Sequence, residues 1–230
     1  MEKLLKDYSD LEKGAYLGAI SSIATADHSA SEEEIEYIMA LADSAGLSDE
    51  QRQAVKRAAT ELTGAELKKC LDVLKNSDLK YSLVTDLISF AETDKKYSDE
   101  ERSNVEKISQ YLGINQQQFN LLDQFVQKTA ETKPEAEEVT QPNFLSKLGL
   151  EQKFKNSGIN MSSLTKGLLG IAGPMILANL IRGRQNRGMS SSLNPFGMNG
   201  GGGLGSIISM LSGGRGFSRT GNMFNRVFGL

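Results

Sequence analysis

The chain has 230 residues, a net charge of -3, 39% hydrophobic and 24% charged residues, which is an ordinary composition for a globular protein. A single Cys70 excludes an intramolecular disulfide framework and a cysteine-rich zinc site, and a single His28 excludes any centre that needs two imidazoles from one chain. The length allows one or two domains of about 100 to 200 residues each. Composition alone indicates no reaction.

The charge of the chain divides near residue 140. Residues 1–140 carry 16 Lys and Arg against 28 Asp and Glu, a balance of -12, whereas residues 141–230 carry 10 basic residues against one acid, a balance of +9. Of the 23 glycines, 18 lie after residue 140. No targeting segment is recognisable at the start of the sequence, so we expect a cytoplasmic protein, including peripheral attachment at the inner face of the membrane.

Residues 1–131 are predicted to form an all-α domain, because their apolar residues recur at helical spacing and helix start signals precede them. Ser31 with Glu34 matches a capping box, and the apolar stripe that follows stops at Gly46, a residue type that ends helices. A second stripe, 105–112, stops at Gly113. Related start signals are Ser48 with Gln51, Ser98 with Glu101 and Asn115 with Gln118; further predicted helices cover 15–25, 49–62, 65–76, 79–93 and 116–131.

The acidic domain contains an internal repeat. A shift of 67 residues aligns 17–47 with 84–114 without a gap. Seven of the 31 aligned positions are identical: Ser22/Ser89, Ala24/Ala91, Asp27/Asp94, Ser31/Ser98, Glu33/Glu100, Glu34/Glu101 and Gly46/Gly113. Each copy is predicted to be an αα-hairpin that buries its apolar stripe against another element. The two copies and their linking helices therefore predict one compact helical bundle.

The repeated pattern, Ala-x-x-Asp at a helix end and Ser-x-x-Glu at the next helix start, resembles the TerB-like domain associated with tellurite resistance. The resemblance covers roughly residues 12–130 and rests on Asp27, Ser31, Glu33, Glu34, Asp94, Ser98, Glu100 and Glu101. Similar domains usually have glycine directly after the aspartate, where this chain has His28 and Lys95. The resemblance implies an all-helical cytoplasmic domain linked to stress responses, with acidic residues suspected of metal binding and with membrane-associated partners.

The two acidic turns form a candidate metal site. If the repeats pack with pseudo-two-fold symmetry, Asp27, Glu34, Asp94 and Glu101 converge into four carboxylates suited to Ca²⁺ or Mg²⁺. The alternative is structural: the glutamates are capping-box residues and the aspartates form Asx turns. The sequence from Asp27 onward lacks the alternating carboxylates and the glycine of an EF-hand. No other cofactor is expected.

We predict that the protein is not an enzyme and has no small-molecule substrate. The lone His28 in a turn is interpreted as a solvated side chain, and Cys70 lies at helical spacing with apolar residues, which favours a core or interface thiol. No Cys-His or Ser-His-Asp constellation can be built around them.

Residues 132–142 have linker composition, with Pro134, Pro142 and an acidic run between them. The basic, glycine-rich tail, residues 143–230, is predicted to hold a short helix over 144–154 and an apolar helix over 162–182 that Gly173 and Pro174 interrupt. Its longest weakly polar run, 168–181, would reach only about 21 Å as a helix, less than the roughly 30 Å of a bilayer core.

The tail carries the candidate surface for a membrane or partner, which combines five apolar side chains with a basic flank: Leu168, Ile171, Met175, Ile176 and Leu180 with Arg182, Arg184 and Arg187. Its occupant is left open between a membrane interface, a protein partner and the acidic face of the same domain. Single-stranded nucleic acid is disfavoured because no recognition module accompanies the arginines. We therefore predict a non-enzymatic scaffold attached through its tail, or alternatively an assembly subunit whose tail orders on a neighbouring subunit.

Overall fold

The computed structural model describes residues 5–24, 32–60, 65–93, 99–132, 134, 136–139, 141 and 143–168. This part of the chain is helical and contains no strand, so the all-α prediction is confirmed. The helices are α1 (Asp10–Ala24), α2 (Glu32–Ala45), α3 (Asp49–Thr60), α4 (Ala65–Leu74), α5 (Leu79–Thr93), α6 (Asp99–Tyr111), α7 (Gln116–Thr132), α8 (Ala136–Val139), α9 (Phe144–Lys147), α10 (Glu151–Ser157) and α11 (Met161–Gly167).

The two repeats end their second helices in the same way. Gly46 after α2 and Gly113 after α6 have φ angles of 68° and 75°. In both copies the glycine N–H donates to the carbonyl three residues earlier at 3.0 Å, and the next N–H donates to the carbonyl five residues earlier, at 3.1 Å after Gly46 and 3.0 Å after Gly113. This is the Schellman motif, which satisfies the last carbonyls of a helix. The predicted stops at both glycines are confirmed.

The helix starts show which sequence signals become caps. Asn115 and Gln118 form a reciprocal box at the start of α7, with hydrogen bonds of 2.9 and 3.1 Å. Ser48 accepts one bond, from the Gln51 N–H at 3.4 Å. A box that the sequence analysis missed, Ser9 with Glu12, starts α1 at Asp10 rather than at residue 15. Ser31 and Ser98 lie outside the described residues.

Helix α5 lies at the centre of the bundle. It packs against α1, α6, α7 and α11, and residues 81–88 are all buried. The buried polar groups of this stretch have partners: the Ser82 hydroxyl donates to the Leu164 carbonyl at 3.0 Å, the Asp86 carboxylate accepts from the Tyr16 hydroxyl, and the Thr85 hydroxyl bonds within the helix. Because α1 and α5 are the first helices of the two repeats, the Tyr16–Asp86 bond connects the repeats directly.

Residues 143–168, which we call the strap, pack on α5 and α7. The Phe125 ring of α7 meets the rings of Phe144 and Phe154 edge-on, with centroid separations of 6.2 and 5.8 Å. Leu164 and Leu168 are buried in the same hydrophobic cluster as the helices of the repeats. From the sequence these residues are predicted to belong to the tail, because short apolar segments beyond a linker give no indication of what they pack against. In the structure one core extends from residue 5 to residue 168.

Polar side chains of the bundle hold the strap by its backbone. Four bundle side chains donate hydrogen bonds to strap carbonyls. Three of these carbonyls lie in the last turn or at the cap of a short strap helix, where no helical N–H remains to bond with them. The donors and acceptors are Tyr8 to Ser163 (3.1 Å), Ser82 to Leu164 (3.0 Å), Gln118 to Ser157 (3.0 Å) and Lys128 to Leu148 (2.7 Å).

Two helix predictions in the tail need correction. The predicted helix 144–154 is interrupted at Gly149, which has a φ of 68° and separates α9 from α10. The predicted apolar helix 162–182 ends at Gly167, because Leu168 has extended backbone angles (φ -70°, ψ 118°). A Cβ atom added at Gly167 would lie 2.2 Å from the Ser82 hydroxyl oxygen, so the close approach of α11 to α5 requires glycine there. Residues 169–230, and with them Gly173 and Pro174, lie outside the described residues.

Replacing Gly113 with alanine should lower the free energy of unfolding by about 1 kcal/mol, because the left-handed backbone disfavours any Cβ. No atom lies within 4 Å of that Cβ, so steric clash is not the cause. Asparagine at the same position, which tolerates this conformation better, should cost less. Urea denaturation measures both variants, and an alanine variant as stable as the native chain would contradict the assignment.

A chain ending after Leu168 should retain the cooperative thermal transition, whereas a chain ending after Gln141 should lose it or melt at a much lower temperature. The shorter truncation uncovers the Phe125 ring and the Ser82 side of α5. Each large apolar side chain removed from the core forfeits about 1.5–3 kcal/mol. Calorimetry of the two truncations tests this expectation. Equal melting temperatures would show that the strap adds nothing to the core.

Candidate functional site

The structure determines only part of the predicted metal site. Asp27 and Asp94 lie outside the described residues, as does His28. Glu34 and Glu101 occupy the third residue of α2 and α6, so their backbones have the same register in the two repeats. Their side chains are not among those described, and the convergence of the four carboxylates remains a prediction. Among the described residues no group of three or more His, Cys, Asp or Glu side chains could hold a metal ion.

The Cys70 thiol has the surroundings of a packing residue. It is largely covered on α4, and a Cβ atom added at Gly18 of α1 would lie 2.9 Å from its sulfur. Burial raises the pKa of Cys70 to about 12, so the thiolate required of a nucleophile is scarce at neutral pH. This agrees with the interpretation of Cys70 as a core or interface thiol.

An open acidic cleft that the sequence analysis missed lies where the start of α1 meets the α4–α5 turn and α11. It has a volume of about 490 Å³. Glu12 is fixed within it: the Ser77 hydroxyl donates to one carboxylate oxygen at 2.6 Å, and the Ser9 hydroxyl and N–H donate to the other at 2.7 and 3.0 Å. The lining residues are Asp7, Tyr8, Glu12, Asn76, Ser77, Asp78 and Ser163.

The pKa values in the cleft show its charge. Hydrogen bonds from Ser77 and Ser9 hold the pKa of Glu12 below its ordinary value, so this carboxylate is ionised at neutral pH. Burial raises the pKa of the Tyr8 phenol, and the nearby carboxylates of Asp78, Glu12 and Asp7 raise it further. The cleft therefore favours cationic groups over anionic ones.

Replacing Ser77 with alanine should raise the pKa of Glu12 and destabilise the protein at neutral pH by about 1 kcal/mol. A carboxylate whose pKa is lower in the folded state stabilises that state above its ordinary pKa, and the contribution is lost as the pH falls through the folded pKa. The deficit should therefore be present at pH 7 and shrink as Glu12 becomes protonated. Thermal denaturation across this pH range, with the exposed Ser162→Ala as control, measures it. A deficit independent of pH would contradict the role of the ionised Glu12.

The candidate membrane or partner surface begins at Leu168, and the structure corrects the role of that residue. The Leu168 side chain is only 7% exposed and contributes to the core, so it is not available to a membrane or a partner. The other seven members of the surface, Ile171, Met175, Ile176, Leu180, Arg182, Arg184 and Arg187, lie outside the described residues. Within the described part of the chain no helix combines the length and apolar character needed to cross a membrane.

Two sequence-related αα-hairpins that share one core define a helical domain of two repeats. The family model described as "Tellurite resistance protein TerB" matches residues 13–124. These residues form a TerB domain, which confirms the resemblance found in the repeats. TerB is not a known enzyme family. Comparisons with curated proteins and with solved structures found no match to the chain.

The TerB match ends before the strap. Helices α9, α10 and α11 all lie beyond residue 124, although they share the core of the domain. The acidic cleft also uses one residue beyond the match, Ser163, and three before it, Asp7, Tyr8 and Glu12. The described part of the molecule is thus a TerB domain extended at both ends.

Proposed function

We propose that this protein is a non-enzymatic scaffold in the cytoplasm, in which the acidic TerB domain serves a stress response and the basic tail attaches it to a membrane surface or a protein partner. The observation that carries the proposal is the distribution of charge. Residues 169–230 contain six arginines and no acidic residue, whereas residues 1–140 have a net charge of -12. Helix α11, in which Leu164 and Thr165 are buried, directly precedes this basic segment.

The burial of Leu168 supports separate roles for the domain, which holds the strap in its core, and for the tail, which makes the attachment. Because the strap is anchored in the core, a force or contact on the tail is transmitted to the folded domain. An anionic membrane repels the acidic domain and attracts each nearby arginine by about 1 kcal/mol. Attachment therefore falls to the tail, with Arg182, Arg184 and Arg187 next to the apolar run 168–181 as the proposed contacts.

The proposal includes a divalent cation, Ca²⁺ or Mg²⁺, at Asp27, Glu34, Asp94 and Glu101. Support comes from the equal register of Glu34 and Glu101 in helices whose C-terminal caps also match. Carboxylate oxygens are the ligands that both ions prefer. Either ion should raise the melting temperature of the full chain, and the increase should disappear in Asp27→Asn/Asp94→Asn. A chain whose melting temperature neither ion changes would overturn this part of the proposal.

Attachment is tested with the full chain and vesicles containing phosphatidylserine. Changing Arg182, Arg184 and Arg187 together to serine should reduce the fraction that floats with the vesicles at least several-fold. A matched control changes Lys56, Arg57 and Lys107 to serine, which removes the same charge from the helical domain but leaves the tail contacts intact, so it should reduce flotation far less. Equal flotation of the tail variant and the native chain would contradict electrostatic attachment to lipid.

A second candidate function is that of a structural subunit whose C-terminal tail orders on a neighbouring subunit. It is favoured by the opposite charges of the two parts, which attract each other between copies as well as within one. Light scattering distinguishes the two candidates. Oligomers that grow with concentration in the absence of lipid favour assembly, and a monomer that floats with vesicles favours membrane attachment.

A further inference from the structure

Helix α6 carries a buried side-chain amide. Asn104 is only 3% exposed, and its amide nitrogen has no hydrogen-bond partner among the described residues. Most buried polar groups in folded proteins are paired, because a buried group that makes no bond loses its contacts with water and gains nothing in return. An ion that binds the amide is one reason for a fold to keep such a group.

The position of Asn104 on α6 relates it to one residue of the proposed cation site. Glu101 lies three positions earlier, so the two positions share one face of the helix. Position 101 also has the register of Val105, Ile108 and Leu112, which are all buried. Side chains of a helix tilt toward its start, so the Asn104 side chain leans over the turn that holds Glu101.

The first repeat has the same register but no amide. Three buried apolar residues follow Glu34 at the spacing found after Glu101: Ile38, Leu41 and Ala45. The residue that matches Asn104 in this repeat is Tyr37. Because both repeats form the same pair of helices, the hairpin itself does not require an amide at this position. The amide is therefore a feature of the second repeat that packing within the hairpin leaves unexplained.

We propose that Asn104 supplies a neutral oxygen ligand, beside Glu101, to the divalent cation of the proposed function. The inference rests on that function and adds one residue to its site. Asparagine oxygens bind Ca²⁺ together with carboxylates. Two ligands three residues apart on one helix can reach a single metal inside a helical bundle. A half-turn of the amide about its Cβ–Cγ bond places the oxygen where the unpartnered nitrogen lies.

The test uses three full-chain variants that differ only on α6. Asn104→Ala removes the amide, and Asn104→Asp replaces its oxygen with a carboxylate. Ser109→Ala is the matched control, because the Ser109 hydroxyl is also buried on α6 and has no partner within the described part of the chain. Circular dichroism first shows that each variant retains its helices, and Asn104→Leu replaces Asn104→Ala where it does not.

Calcium and magnesium chloride are each titrated by calorimetry into chains from which EDTA has removed divalent ions. For the ion that the native chain binds, we expect the dissociation constant of Asn104→Ala to rise by roughly tenfold or more. Ser109→Ala should bind like the native chain. Asn104→Asp should retain binding, melt at a lower temperature than the native chain in EDTA, and gain more from the ion, because the ion offsets its buried charge.

Two outcomes separate this inference from the proposed cation site. A native chain that binds an ion, with Asn104→Ala binding it equally well, overturns the role of Asn104 and leaves the site in place. A native chain that binds neither ion overturns both. Loss of binding in Asn104→Asp as well as in Asn104→Ala also contradicts the inference, because a carboxylate at this position would serve as a ligand.

Discussion

The structure depends on covering helix α5 on every side. Residues 81–88 of this helix are buried without a break, so no face of the helix remains for solvent. Helices α1 and α6 of the two repeats pack against it, and so do α7 and α11. The polar groups of a helix surrounded in this way need partners, and the Ser82 hydroxyl and one carboxylate oxygen of Asp86 have them on α11 and α1. An unmet buried polar group costs about 1–3 kcal/mol, so these bonds fix which elements surround α5.

This constraint connects the TerB domain to the tail. The match to the family ends at residue 124, yet the core is complete only with the strap, which brings Phe154 and Leu164 onto α7 and α5. The basic segment that follows is thus attached to the central helix of the bundle through α11. In the proposed function this arrangement joins the domain and its point of attachment through one shared core.

Local signals in the sequence predicted the repeats well, whereas contacts between distant segments were not predictable. The stops at Gly46 and Gly113 follow from backbone preferences of single residues, and the Asn115–Gln118 box from a spacing of three. The strap depends on pairs such as Ser82 with Leu164, which are 82 positions apart and leave no periodic pattern. The acidic cleft likewise combines the first turn of α1 with Ser77 and Ser163. Its one local signal was the Ser9–Glu12 capping box, which also marks the start of α1. The predicted carboxylate site at Asp27 and Asp94 stays a prediction.

The most direct test of the account is hydrogen exchange of the α5 amides in the native full chain and in Leu164→Asp. If α11 of the strap covers α5, the amides of residues 81–88 should exchange at least tenfold faster in the variant. The α3 amides belong to a helix packed on α1 and α2, so their exchange should change far less. Protection of α5 that is unchanged when the strap is disrupted would contradict the account, because it would show that the central helix is covered without α11.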